Sequence, residues 1–262
     1  MNQTERLHFL ILELLKENPK YSEVQIPAET SEKKQLLRSL FNVRPAMSAN
    51  DKFIRIHNEY LQEEIKTKGI TDIDKLKPIT DNLYLWQGDI TTLQCDAIVN
   101  AANSGMLGCF VPGHACIDNA IHTFAGVQLR QECNDIMQRQ GKEEPTGKAK
   151  ITSAYNLPSK HIIHTVGPIV SGKLTDHDRT LLEDCYRSCL EIAVQNNLNI
   201  IAFCCISTGM FGFPPQEAAE IAVATVNEFL DNSKIKVVFN VFYNKDFKIY
   251  SNLLNNHFGK II

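Results

Sequence analysis

Cys109, His114 and Cys116 fall within eight residues in a C-x4-H-x-C arrangement, in the stretch GCFVPGHAC over 108–116. Two thiols and an imidazole so spaced can ligate zinc, and three protein ligands leave a fourth position for water or substrate, the usual pattern of a catalytic ion. The spacing is not that of a zinc finger, and no C-x2-C pair accompanies it. Taken alone it leaves a metal site and a loop with incidental thiols both open. A purely structural site would need a fourth ligand, for which His122, His164 and Cys133 are candidates. Cys116 is also the one serious candidate for a nucleophilic cysteine.

Two further constellations flank this one. GDIT (88–91), NAAN (100–103) and DNAIH (118–122) bring Asp89, Asn100, Asn103 and Asp118, whose directional donors and acceptors suit a sugar or a base edge. The same residue types also make turns and cap helices. Asp118 and His122, at i and i+4 of a helix, would share a face. The loop STGMFGFPP (207–215) offers the hydroxyls of Ser207 and Thr208, the glycines Gly209 and Gly212, and two prolines that open a helix. Such a loop can cradle a phosphate on backbone N–H groups, or simply turn a strand into a helix. It lacks the GK[ST] ending of a nucleotide-hydrolysing loop. The remaining thiols, Cys95, Cys185, Cys189, Cys204 and Cys205, lie in apolar strand or helix patterns and are expected to be buried.

These residues need elements to position them. From residue 83 onward short apolar runs alternate with helical periods: LYLW (83–86), AIVNAA (97–102), a helix around 115–138, KITSAY (150–155), HIIHTV (161–166), a helix around 175–196, IIAFCCI (200–206), a helix around 215–231, KVVFNVFY (236–243) and a last helix near 245–257. That alternation predicts an α/β domain, three layers with a mixed, largely parallel sheet, and ligands at the carboxyl ends of its strands. Upstream the pattern is helical and densely charged, with helices expected over 4–17, 31–42 and 48–68, the last capped by Ser48. The boundary is placed at residue 80, giving a helical extension over 1–80 and the α/β domain over 81–262. The three helices are expected to pack on the larger domain; His8 and His57 in them read as ordinary surface or core residues.

Composition excludes several classes. With 262 residues, 44% hydrophobic, the chain can bury a sizeable core, and 27 basic against 30 acidic residues (27 − 30 = −3) give no footprint for nucleic acid or an anionic membrane. The charges Glu5, Arg6 and Glu13 interrupt the first apolar stretch, so neither a signal peptide nor a membrane span is expected and the chain reads as cytoplasmic, its eight cysteines reduced.

With the motifs GDIT, AIVNAAN, DNAIH, HTVGP (164–168), CISTGMFGFP (205–214) and VFYNKDFKIY (241–250) in this order, residues 83–258 resemble a macrodomain, the ADP-ribose-binding fold, of the MacroD type of ADP-ribosyl hydrolase. Where that type has a run of glycines, this chain has GCFVPGHAC, which resembles the bacterial zinc-containing subgroup associated with sirtuin-type ADP-ribosyltransferases and a lipoyl-carrier protein; a helical N-terminal extension fits that subgroup. The resemblance implies zinc on Cys109, His114 and Cys116, a substrate that is an ADP-ribosylated protein, and ADP-ribose as product. It implies that Asp89 accepts from the adenine amine beside the Ile90 N–H, and that Phe242 stacks on the adenine. Ser207, Thr208, Gly209, Met210 and Phe211 would hold the diphosphate, and Asn103 and Asp118 the distal ribose, as the catalytic pair, with His122 supporting. That type's second phosphate contact is made by backbone N–H groups of the glycines this loop replaces, so the resemblance does not carry that contact over, and metal and substrate are the candidates to share its job. The expected function is a zinc-dependent hydrolase that removes mono-ADP-ribose from an acidic side chain. A non-catalytic ADP-ribose reader and a deacetylase of O-acetyl-ADP-ribose are the alternatives.

Overall fold

The computed structural model describes residues 1–259. Three amphipathic helices come first: α1 (Gln3–Lys16), α2 (Thr30–Val43) and α3 (Asp51–Lys68). Asn2 closes a capping box with Glu5 at the start of α1. The cap of α3 is Asn50, whose side chain accepts from the Phe53 N–H, and not the expected Ser48. The helices bury Leu7, Leu10, Ile11, Leu37, Phe41, Ile56 and Leu61 in a hydrophobic cluster of their own, so the extension has a core as well as a docking face.

The rest builds one sheet. Its seven strands are β2 (Pro78–Thr80), β3 (Leu83–Gln87), β5 (Ala97–Ala102), β6 (Ala149–Ser153), β7 (His161–Val166), β8 (Ile200–Phe203) and β9 (Lys236–Val241), in the order β2-β3-β9-β8-β5-β7-β6. The five inner strands are parallel, and β2 and β6 close the two edges antiparallel. Two short strands, β1 (Thr71–Asp72) and β4 (Leu93–Gln94), pair with each other apart from this sheet. β1, β2 and β4 are too short to carry a readable period. β8 and β9 stop at Phe203 and Val241, earlier than their apolar runs suggested, because Cys204–Ile206 and Phe242 already belong to the loops that leave the sheet.

Helices cover both faces. α6 (Asp176–Gln195), α7 (Pro215–Leu230) and α8 (Asn244–Phe258) pack side by side, while α4 (Ile117–Ala125) and α5 (Val127–Gln140) pack together, α4 against β5, with α2 and α3 outside it. The single helix expected over 115–138 is two helices, broken at Gly126 with φ +104°. A Cβ there would lie 2.3 Å from His57 Cε1, so glycine serves both the turn and the close approach of α3. The main core runs from Ile65 of α3 to Leu254, with Tyr186 against Phe203 and Phe239 against Tyr250 at ring separations of 4.9 and 5.1 Å. No helix among the described residues is long and apolar enough to cross a membrane.

Candidate active site

Five parallel strands place the loops after Gln87, Ala102, Val166, Phe203 and Val241 along one sheet edge, and the motifs lie in those loops. After β3, Asp89 caps a short turn of helix: its Oδ1 accepts from the Thr91 backbone N–H at 3.0 Å and the Thr91 hydroxyl at 2.6 Å. Its Oδ2 accepts from Lys68 Nζ, at the end of α3, at 3.1 Å, and the same ammonium lies 3.3 Å from the centroid of the Phe124 ring. Partial burial opposes the Asp89 charge, but the Thr91 donors and Lys68 outweigh it and hold the carboxyl below its ordinary range. Ile90 is buried beside it. Phe242 follows β9, adjacent to β3, and is 63% exposed, its carbonyl held by Gln87.

The loop after β8 is tightly wound. Ser207 has φ +64°, its carbonyl accepts from the Phe213 N–H at 3.0 Å, and Gly209 accepts from the Gly212 N–H at 3.0 Å. The Thr208 hydroxyl donates to the Cys205 carbonyl and the Phe211 carbonyl accepts from Val170. Among the described residues the N–H groups of Gly209, Met210 and Phe211 have no acceptor within the chain, so three consecutive donors are left for a ligand in the loop that leads into α7, near whose start the helix dipole favours an anion. Met210 is 79% exposed.

After β5 the chemistry is densest. Asp118, buried at the start of α4, accepts from Asn100 Nδ2 at 2.8 Å and from Asn103 Nδ2 at 3.3 Å. Burial pushes its carboxyl up to about 6 against those two donors and the nearby Arg130. The Asn103 amide also donates to the Gly108 carbonyl at 3.1 Å, and its Oδ1 accepts from the Gly105 N–H at 3.0 Å. Behind them His164 sits with Nδ1 3.1 Å from Asn100 Nδ2 and Nε2 2.9 Å from Thr152 Oγ1, so the neutral ring accepts from the amide and donates to the hydroxyl. His122 Nε2 is 3.6 Å from Asp118 Oδ1, beyond hydrogen-bond range, and burial keeps this imidazole neutral as well.

Cys109, His114 and Cys116 converge: their ligand atoms lie within 4.8 Å of one another, and Cys109 Sγ is 3.5 Å from His114 Nδ1. A tetrahedral ion bonded to sulfur at about 2.3 Å and to nitrogen at about 2.0 Å sets those two atoms about 3.5 Å apart, so the residues fit zinc. Cys116 is the N-cap of α4, its sulfur accepting from the Asn119 N–H at 3.4 Å. Burial pushes its thiol up, relieved by that N–H and reinforced by the Cys109 sulfur; a bound cation would reverse this. His122, Cys133 and His164, the candidates for a fourth ligand, form a second, fully buried group.

All eight cysteines are free, and Cys95, Cys185, Cys189 and Cys204 are buried as expected, with Cys205 half-buried. Sequence reasoning did not find Lys68, Arg38, Asn42, Asn119 or Arg130, all of which contact this site or its loop. Asn119 lies inside the DNAIH motif; the others lie in helices, and no local pattern marks them.

The sequence profile of the Macro domain family matches residues 99–222. The chain is 60% identical over 261 residues to a protein-ADP-ribose hydrolase of Treponema medium, covering 97% of this chain and all of that one. It is 49% identical to the protein-ADP-ribose hydrolase of Staphylococcus aureus strain MSSA476, covering 95% of each. Among solved structures it is similar to the Oceanobacillus iheyensis macrodomain with ADP (TM-score 0.64, 40% identity, 71% of this chain and 97% of that one). It is also similar to the Trypanosoma brucei macrodomain in complex with ADP-ribose (TM-score 0.64, 29% identity, 82% and 94%).

Proposed function

The chain belongs to the macrodomain family, and from that premise we propose that it is a zinc-dependent protein-ADP-ribosyl hydrolase that frees mono-ADP-ribose from an acidic side chain of a target protein. Its relationship to protein-ADP-ribose hydrolases along nearly its whole length makes it an ADP-ribosyl hydrolase. Zinc dependence rests on one observation, the convergence of the ligand atoms of Cys109, His114 and Cys116 within 4.8 Å of one another, with Cys109 Sγ and His114 Nδ1 at the separation a tetrahedral ion sets.

In this reading the adenine amine donates to Asp89 with the Ile90 N–H alongside, and Phe242 stacks on the base. The diphosphate lies on the backbone of Ser207, Thr208, Gly209, Met210 and Phe211, opposite the start of α7. The distal ribose then reaches Asn103 and Asp118. Cleavage breaks the bond between the anomeric carbon and the side-chain ester, with water supplying the new anomeric hydroxyl and the target regaining its carboxyl group. Asp118 orients that water, and Asn100 and Asn103 hold Asp118. When bound, zinc offers an open position to a ribose hydroxyl or water; since two thiolates cancel its formal charge, fixing the sugar outweighs acidifying water. The subgroup resemblance points to a lipoyl-carrier protein, glycine-cleavage-H-like and modified by a sirtuin-type transferase, as one candidate target; the cytoplasmic placement rests on the charges Glu5, Arg6 and Glu13 in the first apolar stretch.

The test is release of ADP-ribose from a carboxylate-modified protein by metal-replete enzyme beside chelator-stripped enzyme of quantified metal content. Loss of turnover on stripping, with the fold intact, and its return with zinc are expected. Full turnover without metal overturns the zinc dependence and leaves the reaction to Asn103 and Asp118. Binding of ADP-ribose with no release from any modified protein overturns the hydrolase reading.

A further inference from the structure

The loop carrying the three ligand residues has few contacts of its own; within it the His114 N–H donates to the Val111 carbonyl at 3.2 Å, and Phe110 and Val111 are exposed. Within the α/β domain it is held by Asn103 at Gly108 and by Arg130, whose guanidinium lies 4.3 Å from the centroid of the Phe110 ring; further anchors come from the N-terminal extension. Arg38 on α2 donates through Nη2 to the His114 carbonyl at 3.2 Å, and through Nη2 and Nε to Asn119 Oδ1 at 2.8 and 3.2 Å. The fully buried Asn119 passes this on: its Nδ2 donates to the carbonyls of Val111 and Cys109 at 3.0 and 3.5 Å, and its backbone N–H to Cys116 Sγ. One turn along α2, the buried Asn42 accepts from the Gly113 N–H at 2.9 Å and donates to the Thr123 hydroxyl at 3.0 Å, which in turn donates to the Asn119 carbonyl at 2.7 Å. Each of the three ligand residues is thus held by this network, His114 by Arg38 directly and both cysteines through Asn119.

We propose that Arg38 and Asn42 are positioning residues for the metal centre, holding Cys109, His114 and Cys116 in ligating geometry from a helix outside the catalytic domain. The proposal rests on the metal reading above. A loop already ordered loses less conformational freedom when the ion binds, and partners one step removed from the ligands characteristically set metal affinity by about 10- to 100-fold. Arginine suits the place because its planar fork reaches two acceptors from one group, which a lysine ammonium cannot reproduce.

The test uses the full chain. Zn²⁺ affinity is measured by competition with a chromophoric chelator, together with the visible spectrum of the Co²⁺-loaded protein and the melting midpoint of the metal-free protein, for wild type, Cys109→Ser, Arg38→Met and Arg38→Lys. Wild type should hold one ion that Cys109→Ser loses. Arg38→Met should weaken Zn²⁺ about 10- to 100-fold and alter the Co²⁺ spectrum while the metal-free midpoint stays put, with Arg38→Lys in between. Should Arg38→Met melt early, Arg38→Lys, which keeps stem and charge, decides alone. Wild-type affinity and spectrum in the folded Arg38 variants overturn this proposal and leave the metal site standing. A wild type that binds no ion, or binds it independently of Cys109, overturns both.

Discussion

Asn103 shows how little freedom a well-placed side chain retains. Both Nδ2 hydrogens are spent, on Gly108 and Asp118, and Oδ1 already accepts from Gly105, so a ligand can find only the remaining lone pair of Oδ1. Its main service is to shape the loop and aim Asp118. Asn103→Ala should therefore lower the rate of ADP-ribose release about 100-fold, the order seen when one positioned donor is removed. Cys109→Ala or His114→Ala should abolish it. Single-turnover release from a modified protein checks both, and a Cys109→Ala enzyme turning over like wild type would return the chemistry to Asn103 and Asp118 alone. His122 belongs to the support: its ring packs under Gly108, where a Cβ would come within 2.7 Å.

Among the elements, the junction of α4 and α5 couples the extension to the site. His57 of α3 stacks on Phe53, meets the edge of Phe41, has Nδ1 3.0 Å from Asn58 Oδ1, and accepts the Val127 N–H through Nε2 at 3.4 Å. Gly126 lets it come that close. Gly126→Ala adds a methyl group into the imidazole at a positive φ, and should cost about 2 to 4 kcal/mol of unfolding free energy, measured by urea denaturation; an unchanged midpoint would mean that α3 can move away at no cost. Arg130 of α5 is a second tie, its guanidinium donating to the carbonyls of Phe41 and Arg44 in the extension and of Leu107 before the loop over 108–116.

At the scale of the molecule, buried neutral histidines make stability depend on pH. Burial brings the His57 pKa down to about 4, with Asn58 opposing and Arg44 adding to the shift, while the unfolded chain protonates near 6.5. Between those values the unfolded state binds more protons, so this contribution is complete above pH 6.5 and lost as pH falls toward 4, about 3 kcal/mol over the window. His57→Gln should flatten the fall in unfolding free energy between pH 7 and 4.5; an equally steep fall would assign it to other groups. Much of the architecture was legible beforehand. AIVNAA and HIIHTV appear as strands at the expected residues because continuous apolar runs suit parallel strands buried on both faces, and the order of the motifs identified the family. The cysteine and histidine spacing marked the candidate metal loop, because its three residues are close in sequence, and the fold brings their ligand atoms within 4.8 Å of one another. The amino-acid sequence by itself thus determined the strand pattern, the loops at the sheet edge and the candidate ligand set. Tertiary structure alone decided that Lys68 meets Asp89 and that Arg38 and Asn42 meet the loop over 108–116. Those pairs stand 21 to 76 residues apart and join a helix to a loop, and a hydrogen bond between distant segments leaves no period in either of them.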